Sequence, residues 1–283
     1  QTVTVTGVDD NNSDGHQDYD INLSELVVSS KALDFDGVDD YVATASNISE
    51  LNITGDITIQ TWMYISSLPG DWVRLVGKGN STYRTYGLWL NPSGQVMFQQ
   101  YGGGGSNDVY IFANTTLSTG AWYHIAATKS GNTITMYVNG VADGTKSYTG
   151  TPYSSTDPLT IGYATFHTYH SGQLDEVAVW DKGLSAAEIT TLYNSAGGLD
   201  ASSNSGNYNS ATNLVGYWKM DDGSGTSLTD SSSNPYTATM INMSDADWVA
   251  SGVSISTPES LDVALHNLDD DYNSDVVVNV SSD

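Results

Sequence analysis

Oxygen-bearing side chains alternate along the segment DDNNSDGHQDY, residues 9–19, in the manner of a calcium-binding loop. The residues at the first, third, fifth and ninth places of such a loop are Asp10, Asn12, Asp14 and Asp18. Alternate positions converge on one ion, and Gly15 stands at the sixth place, where the chain must turn sharply. The twelfth place holds Ile21 instead of glutamate, so Asp20 or a neighbouring module would have to close the site. The segment predicts bound Ca²⁺, with an ordinary Asx-rich turn as the alternative.

A second acidic segment, LDDDYNSD, lies near the other end of the chain at residues 268–275. Its candidate calcium ligands are Asp269, Asp271, Asn273 and Asp275. They again stand at every second position, so the same two interpretations apply, a calcium site or an Asx-rich turn. The presence of such a segment at each end suggests that the two ends belong to one structural unit.

A third group of residues has the chemistry to bind a sugar, because aromatic rings stack on sugar faces while amide and guanidinium groups bind hydroxyls. These residues lie around GGGG (102–105) and ATFHTYHSG (164–172), and the candidates are Trp72, Tyr83, Arg84, Tyr101, Tyr169 and His170. Tryptophans inside strand patterns, such as Trp62, Trp89, Trp122 and Trp180, are expected in the core. For the loop aromatics, a ligand site and simple packing both stay open.

The charge of the chain excludes several kinds of partner. Eight Lys and Arg residues against 33 Asp and Glu residues give a formal net charge of −25. Nucleic acids and anionic membranes need a cationic surface, so neither is an expected partner, and polyanions in general are disfavoured. Only five acidic residues are glutamate, and the aspartate excess suits hard cations such as Ca²⁺, although an acidic surface also serves solubility in salt.

Two further features of the composition limit the class of protein. The chain contains no cysteine, which excludes disulfides, thiolate metal sites and thiol catalysis. No segment approaches the run of about 18 apolar residues that a membrane span requires, so direct membrane insertion is not expected.

Alternation of apolar and polar residues predicts an all-β protein. It appears in DITIQTWMYI (56–65), YGLWLN (86–91), QVMFQQY (95–101) and DEVAVW (175–180), and is typical of half-buried antiparallel strands. Asn139-Gly140 between two such runs predicts a type I′ hairpin, since both central residues need positive φ. One short helix is predicted in LSAAEITTLYNS, where Ser185 and Glu188 form a capping box. The polar segment 194–213 after it is expected to be a surface loop pinned by Tyr208.

Several motifs in a fixed order resemble the laminin G-like, concanavalin A-like lectin domains. They are LDFDGVDDYV (33–42), WMYI (62–65), GAWYHIAATKSGNTITMYVNG (120–140), LTIG (159–162) and GQLDEVAVWDKGLSAAEITTLYN (172–194). The resemblance covers residues 31–251 and implies a two-sheet antiparallel jelly-roll sandwich with a concave and a convex face.

One segment stands in an unusual place. Residues 214–240, LVGYWKMDDGSGTSLTDSSSNPYTATM, resemble the segment that precedes LDFDG in this family, whereas here they follow the helix. The segment is too short to form a second sandwich and would expose its apolar residues if it stood alone. We therefore expect residues 214–251 to return to the same sandwich in permuted order and cover an edge, with a truncated second copy as the alternative.

The two ends of the chain form a weak internal repeat of strand, acidic loop and strand. They resemble the Calx-beta-like repeats of large bacterial surface adhesins, in which acidic loops bind calcium at module junctions. The resemblance implies that residues 1–30 and 252–283 are pieces of a small β stalk repeat, and that the sandwich is inserted between them. Insertion of this kind requires that the entry and exit of the sandwich lie close together.

The lectin-like resemblance also implies a structural calcium ion in the sandwich. Its expected ligands are Asp175 of the LDEV-like strand, Asp36 or Asp40 of FDGVDD, and Asp221 of KMDDG. Aspartates buried beside one another are costly without a cation, although these residues could instead cap turns. Glycosidases of this fold commonly carry Glu-X-Asp-X-X-Glu on one strand, and that spacing is absent, so the chain is not expected to be an enzyme.

Taken together, the patterns predict a non-catalytic module of a large extracellular or cell-surface adhesin or filament protein. Its expected ligand is a carbohydrate or a cell-surface protein, its cofactor Ca²⁺, and its other partners the neighbouring modules of the same chain or filament. The alternative is a purely structural spacer of a stalk that binds no ligand.

Overall fold

The computed structural model describes five stretches of the chain, residues 3–6, 30–102, 108–165, 167–255 and 263–266. By its internal contacts the chain divides into two units. One unit consists of Gln1–Val27 with Pro258–Asp283, and the other is Val28–Thr257. In the first unit the described residues are two strands, β1 (Val3–Thr6) and β18 (Val263–His266), which pair in parallel. The Calx-beta-like repeat expected here stays a prediction.

The described residues of the larger unit form sixteen strands and one α-helix. In chain order they are β2 Lys31–Asp36, β3 Tyr41–Thr44, β4 Ile57–Ile65, β5 Val73–Gly79, β6 Arg84–Leu90, β7 Gln95–Tyr101, β8 Val109–Thr116, β9 Trp122–Ser130, β10 Thr133–Val138, β11 Val141–Ser147, β12 Leu159–Ile161, β13 Ser171–Trp180, α1 Ala186–Tyr193, β14 Leu214–Trp218, β15 Ser227–Leu228, β16 Ala238–Ile241 and β17 Trp248–Ala250. None of the described helices is long and apolar enough to cross a membrane.

These strands form two antiparallel sheets. The first sheet has the order β11-β10-β9-β4-β13-β2-β17, and β14 also pairs with β13. The second sheet has the order β15-β16-β3-β12-β5-β6-β7-β8. The segment 214–251 therefore contributes strands to both sheets: β14 and β17 pair in the first, and β16 pairs with β3 in the second. The all-β content predicted from alternation is confirmed, as are the two-sheet antiparallel sandwich implied by the resemblance and the one short helix predicted from its capping box.

The main core lies between the two sheets and is built by the alternating apolar residues of both. Ile59 and Ile125 come from the first sheet, Leu88 and Phe98 come from the second, and all four are fully buried. Each such side chain stabilises the folded state by roughly 1.5–3 kcal/mol through burial. The alternating strands therefore place one set of residues in this core and leave the other set on the outer faces.

Two local predictions are confirmed by the backbone. Asn139 and Gly140 have φ of 50° and 74°, as a type I′ turn between β10 and β11 requires. Helix α1 begins after Ser185, whose side chain accepts a hydrogen bond from the Glu188 amide while the Glu188 side chain accepts from the Ser185 amide. The capping box read from the sequence is thus present.

The segment after the helix is more buried than its polar composition indicated. Leu199, Ala201 and Tyr208 pack with α1 and with Trp180 on the outer face of the first sheet. The Tyr208 hydroxyl accepts a hydrogen bond from Trp180 Nε1 (2.9 Å) and donates one to the Ala201 carbonyl (2.7 Å). The expectation of a loop without core was wrong, because a few apolar residues suffice to cover a sheet face. Tyr208 does pin the segment, as predicted.

Candidate functional site

The outer face of the second sheet differs from that of the first because no helix covers it within the described residues. In β6, Tyr86, Leu88 and Leu90 point into the core, so alternation places Trp89 on the outside. Met97 of β7 packs there with Trp89, in a small cluster separate from the main core. We call this outer surface of strands β5 to β8 the β5–β8 face.

Two glycines make room for large side chains on the β5–β8 face. Gly77 and Gly87 are directly paired across β5 and β6. A Cβ atom at Gly87 would lie 2.9 Å from Trp89 Nε1, and one at Gly77 would lie 3.2 Å from Arg74 Cδ and 2.6 Å from Gly87 Cα. The indole of Trp89 and the stem of Arg74 therefore lie against a stretch of sheet that has no side chains of its own.

Both arginines of the chain contact Trp89. The guanidinium carbons of Arg74 and Arg84 lie 4.9 and 5.1 Å from the centre of its ring, and Arg84 also lies 5.2 Å from the ring of Tyr101. Cations over aromatic faces are attracted by the ring quadrupole. Arg74 is 1% exposed. Its burial, followed by repulsion from Arg84, lowers the pKa of Arg74 to about 9, so it remains charged at neutral pH.

The edges of the β5–β8 face are aromatic. Trp72 lies 6.0 Å from Phe112, which lies 6.1 Å from Tyr110, measured between ring centres. Tyr110 is 54% exposed, so its ring is available to solvent. His167 packs edge-on against Trp89 at 5.2 Å, and its Nδ1 atom lies 3.3 Å from a carboxylate oxygen of Asp71. These rings form the walls of a cavity over the sheet.

The cavity has a volume of about 320 Å³ and is open to solvent on one side. Its lining residues are Trp72, Arg84, Trp89, Met97, Gln99, Tyr110, Phe112 and His167. A smaller cavity of about 70 Å³ adjoins Arg74 and is lined by Asn80, Asp157, Thr160 and Tyr163 among others. Flat rings beside amide, imidazole and guanidinium donors are the groups that bind a sugar ring and its oxygens.

The residues predicted to bind a sugar are divided among several places. Trp72 and Arg84 line the larger cavity, and Tyr101 packs against Arg84. Tyr83 is stacked on Tyr153 at 4.0 Å, outside the cavity lining.

Tyr169 is stacked on Tyr163 at 4.5 Å, and Tyr163 lines the smaller cavity. His170 is 1% exposed and packs against Phe35, so it is not accessible to a ligand. Its burial lowers the pKa of His170 to about 4. The structure thus brings Trp72, Arg84 and Tyr101 together and separates the other three from the larger cavity.

Sequence reasoning missed most of the cavity lining. The residues not selected as ligand candidates are Trp89, Met97, Gln99, Tyr110, Phe112 and His167. Trp89 is buried, as its strand pattern predicted, but it lies on the β5–β8 face and not between the sheets. A signal was present, because β6, β7 and β8 carry aromatic, amide and arginine side chains on the face opposite to the core.

A cluster of acidic residues lies in the turn between β2 and β3. Carboxylate oxygens of Asp36, Asp39 and Asp40 lie within 4.8 Å of one another. Asp40 is 4% exposed, and its burial, together with the charges of Asp36, Asp247 and Asp39, raises its pKa. The amide of Asp36 donates to Asp40 at 3.0 Å, and the amide of Val38 donates to Asp36 at 2.7 Å. A divalent cation bound here would relieve the repulsion.

Asp175 is not part of this cluster. The amide of Glu176 and the hydroxyl of Ser251 donate to its carboxylate at 2.9 and 2.6 Å. Asp221, the other predicted ligand, accepts a hydrogen bond from the Lys31 amide (2.6 Å), and its charge raises the pKa of Asp175. The structure therefore relates Asp175 to Asp221 and not to Asp36, which pairs with Ser171 at the start of β13, or to Asp40, which lies beside Asp36.

Asp175 and Glu176, which we call the buried acid pair, result from a bulge in β13. The register against β4 shifts between Asp175 and Ala178, and Glu176 has a φ of 51°. Both carboxyls are 1% exposed, and burial raises their pKa values well above the usual range. The Tyr217 hydroxyl donates to one oxygen of Glu176, while the other oxygen has no partner among the described residues.

The eight calcium ligands predicted near the termini lie outside the described residues. They are Asp10, Asn12, Asp14 and Asp18 in the first segment and Asp269, Asp271, Asn273 and Asp275 in the second. Both calcium sites stay predictions.

Comparison with known proteins identifies the type of fold. Residues 36–190, more than half of the chain, match the model of the concanavalin A-like lectin/glucanases superfamily. No curated protein matches the sequence.

Among solved structures, a crystal structure described as a candidate carbohydrate binding protein from Bacteroides ovatus has a TM-score of 0.55 and 18% identity. The alignment covers 75% of this chain and 58% of that protein, so this chain spans little more than half of its length. The CBM40 domain of the Ruminococcus gnavus IT-sialidase has a TM-score of 0.47, 14% identity and coverage of 59% and 98%. Domains LG4-5 of the mouse laminin alpha1 chain have a TM-score of 0.42, 17% identity and coverage of 56% and 45%. At these identities the similarity concerns the fold.

Proposed function

This chain belongs to the concanavalin A-like lectin/glucanases superfamily, and from that premise we propose that it is a carbohydrate-binding module whose ligand occupies the cavity on the β5–β8 face. The observation that carries the proposal is the composition of that cavity. Its walls combine the rings of Trp72, Tyr110 and Phe112 with the polar groups of Arg84 and Gln99. Rings bind the apolar face of a sugar, and the polar groups fix its hydroxyls.

The residues that line the same cavity also support a module that is not catalytic. Glycoside hydrolysis on this fold needs two carboxyl groups on either side of the scissile bond. None of the described residues that line the cavity has a carboxylate. Asp71 lies 3.3 Å from Nδ1 of His167, a residue of the cavity wall, and the buried acid pair is inaccessible. Glucanases occur in the superfamily, and sugar release from a polysaccharide panel would contradict this part of the proposal.

The binding proposal is tested with Trp72→Ala on a broad glycan and polysaccharide array. We expect affinity to fall at least about tenfold, since loss of a stacked ring costs about 1.4 kcal/mol or more. The matched control is Trp122→Ala, which removes another half-buried tryptophan from the first sheet. Equal losses of affinity in both variants would show that the substitutions act through the stability of the fold. An array without any binding would favour the alternative of a purely structural spacer.

We also propose that Ca²⁺ stabilises the sandwich at Asp36, Asp39 and Asp40. Support comes from three carboxylates within reach of one ion and from the raised pKa of Asp40. An ion bound only by the folded state stabilises it by about 2.7 kcal/mol at a hundredfold excess over Kd. The melting temperature should therefore be several degrees higher in millimolar calcium than in EDTA.

The double variant Asp36→Asn with Asp39→Asn should lose that part of the calcium effect, while Asp181→Asn, an exposed acid elsewhere, should retain it. A calcium effect that persists in the double variant would belong to other acidic segments, including the two near the termini. A melting temperature that is identical in calcium and EDTA for the unmodified chain would contradict structural calcium altogether.

The setting we propose is a module of a large extracellular or surface protein, an adhesin or filament, with neighbouring modules on either side. The support is the acidic composition and the repeated acidic segment at the two ends of the sequence. Antibodies against this chain should label intact cells of the source organism, and labelling only after cell lysis would contradict the proposal.

A further inference from the structure

The charge of the β5–β8 face comes from its two arginines. Among the described residues, Lys129, Lys182 and Lys219 each lie within 4.0 Å of a carboxylate, whereas Lys31, Lys78 and Lys146 do not. Neither Arg74 nor Arg84 forms an ion pair in that part of the chain, although 33 acidic residues are present. Both arginines nevertheless contact the same indole ring. Positive charge is therefore concentrated on one face of a strongly acidic protein and is not neutralised there.

The hydrogen bonds of these arginines go to neutral acceptors. Arg74 donates from Nη1 to the Gly79 carbonyl (2.9 Å) and to the Thr160 hydroxyl (3.2 Å). Arg84 donates from Nη1 to Gln99 Oε1 (3.0 Å) and from Nη2 to the Ser81 carbonyl (3.4 Å). Each guanidinium thus retains donors for another acceptor.

Buried donors without partners are concentrated on this face. Within the described residues, Nε and Nη2 of Arg74, Nε of Arg84 and Nε1 of Trp89 are buried and have no hydrogen-bond acceptor. All four are N–H groups, and unmet donors in a folded protein call for an explanation such as a missing ligand. An excess of donors over acceptors points to a ligand rich in acceptor oxygens.

The carboxylates closest to the two arginines are held by other groups. Asp157 accepts from Asn80 Nδ2 (2.9 Å) and from Ser155, and Asp108 accepts from the Gly102 amide (2.6 Å). Their charges act on Arg74 and Arg84 only from beyond ion-pair distance. They reduce the positive potential of the face but leave the guanidinium donors unpaired.

Resting on the proposed function, we propose that the sugar bound on the β5–β8 face is an acidic one, whose carboxylate or sulfate oxygens bind Arg84 while its ring packs against the aromatic wall. Arg74, which is 1% exposed and lines only the smaller cavity, adds positive charge from the other contact with Trp89. Guanidinium groups bind such oxyanions through two parallel N–H···O bonds. The net charge of −25 opposes the approach of a polyanion at long range, but this repulsion is screened beyond about 10 Å at 0.1 M salt. The contact with Arg84 is shorter than that.

The test uses polysaccharides in matched pairs that differ only in charge. Polygalacturonate, alginate and hyaluronan are compared with their carboxyl-reduced forms, and carrageenan with its desulfated form, by affinity electrophoresis and calorimetry. We expect at least one acidic member to bind ten times or more as tightly as its uncharged counterpart. The carboxylated and sulfated arms identify which oxyanion is recognised.

The variant Arg84→Gln should weaken binding of that acidic glycan at least tenfold, and Arg84→Lys should restore part of the loss because it retains the charge. Lys31→Gln changes the net charge equally but lies in β2 of the first sheet, and it should leave the affinity unchanged. Arg84 is half-buried, so melting curves of each variant show whether folding is preserved.

Equal binding of charged and uncharged partners, or an Arg84→Gln variant with full affinity, would overturn this inference and leave the proposed function intact. Weakening by Trp72→Ala with no effect of charge would be the signature of a neutral-sugar site. No binding to any acidic or neutral member would contradict the proposed function together with this inference.

Discussion

The β5–β8 face and the buried acid pair are two places where this chain buries ionisable side chains without an opposite charge beside them. Arg74 and Arg84 lie at the walls of cavities, whereas Asp175 and Glu176 are enclosed between β13, β14 and the end of β17. An enclosed acid can avoid its charge by taking up a proton, and its pKa rises accordingly. An arginine cannot do so at neutral pH. An unpaired buried acid can therefore serve the fold alone, while an unpaired arginine at a cavity wall indicates a ligand.

The largest change in stability is expected from substitutions of Gly77 and Gly87, the two glycines beneath Trp89 and Arg74 on the β5–β8 face. We expect Gly77→Ala to destabilise the protein by about 3 kcal/mol, because overpacking against a rigid neighbour is costly and the new Cβ would lie 2.6 Å from backbone atoms of Tyr86 and Gly87. Gly87→Ala meets only the Trp89 side chain, so it should cost less stability and mainly weaken glycan binding.

Gly70→Ala is the control, since its Cβ would meet nothing within 4 Å. The free energy of unfolding in urea and the glycan affinity are measured for all three variants. Equal stability of Gly77→Ala and Gly70→Ala would show that the positions of Trp89 and Arg74 do not depend on the absence of side chains at Gly77 and Gly87.

The second test acts on the buried acid pair. Tyr217→Phe removes the only donor that Glu176 has among the described residues, and a lost hydrogen bond to a buried acid should cost about 2 kcal/mol. Glycan affinity should be unchanged, because Tyr217 lies on the first sheet and outside the cavity lining. Tyr110→Phe, which alters an exposed hydroxyl on the other face, should leave stability unchanged. A Tyr217→Phe protein that binds glycan poorly would contradict the independence of the two regions.

The smallest effect is expected from pH. The native pKa values of Asp175 and Glu176 are raised above 3.8 and 4.5 by burial, so folding binds protons and stability is lost as pH rises through the native pKa values. His124 and His170 act in the opposite sense, since burial lowers their native pKa values to about 3 and about 4 from 6.5. They lower stability as pH falls below 6.5.

The two acids should therefore make the melting temperature in EDTA rise as pH falls toward their unfolded-state pKa values of 3.8 and 4.5, while the two histidines oppose that rise below pH 6.5. Glu176→Gln, which cannot titrate, should reduce the rise, whereas His170→Gln should reduce only the opposing effect below pH 6.5. A pH dependence that is unchanged in Glu176→Gln would contradict a raised native pKa of Glu176.

Strand patterns predict the fold but only part of the candidate site. Alternation correctly indicates β4, β6, β7 and the second half of β13, because a half-buried strand must alternate between core and solvent. It also assigns Trp89 to the core, since a tryptophan among apolar neighbours is usually there. Alternation alone does not distinguish the inner face from a covered outer face. Tyr169 and His170 were selected for their place in an aromatic loop, and that loop packs its rings on Tyr163 and Phe35.

The β-strands, the type I′ hairpin, the capped helix and the acidic charge all follow from the amino-acid sequence, because each of these depends on local pattern or on composition. The two-sheet sandwich was implied by the resemblance to the lectin-like domains. The assembled sheets alone establish which outer face stays open, which arginines converge on Trp89 and which aspartates share a turn. These depend on pairings between strands that are distant in the chain, such as β13 with β2, β4 and β14. Local preference carries no information about which distant strands become neighbours, so the site appears only when the sheets are assembled.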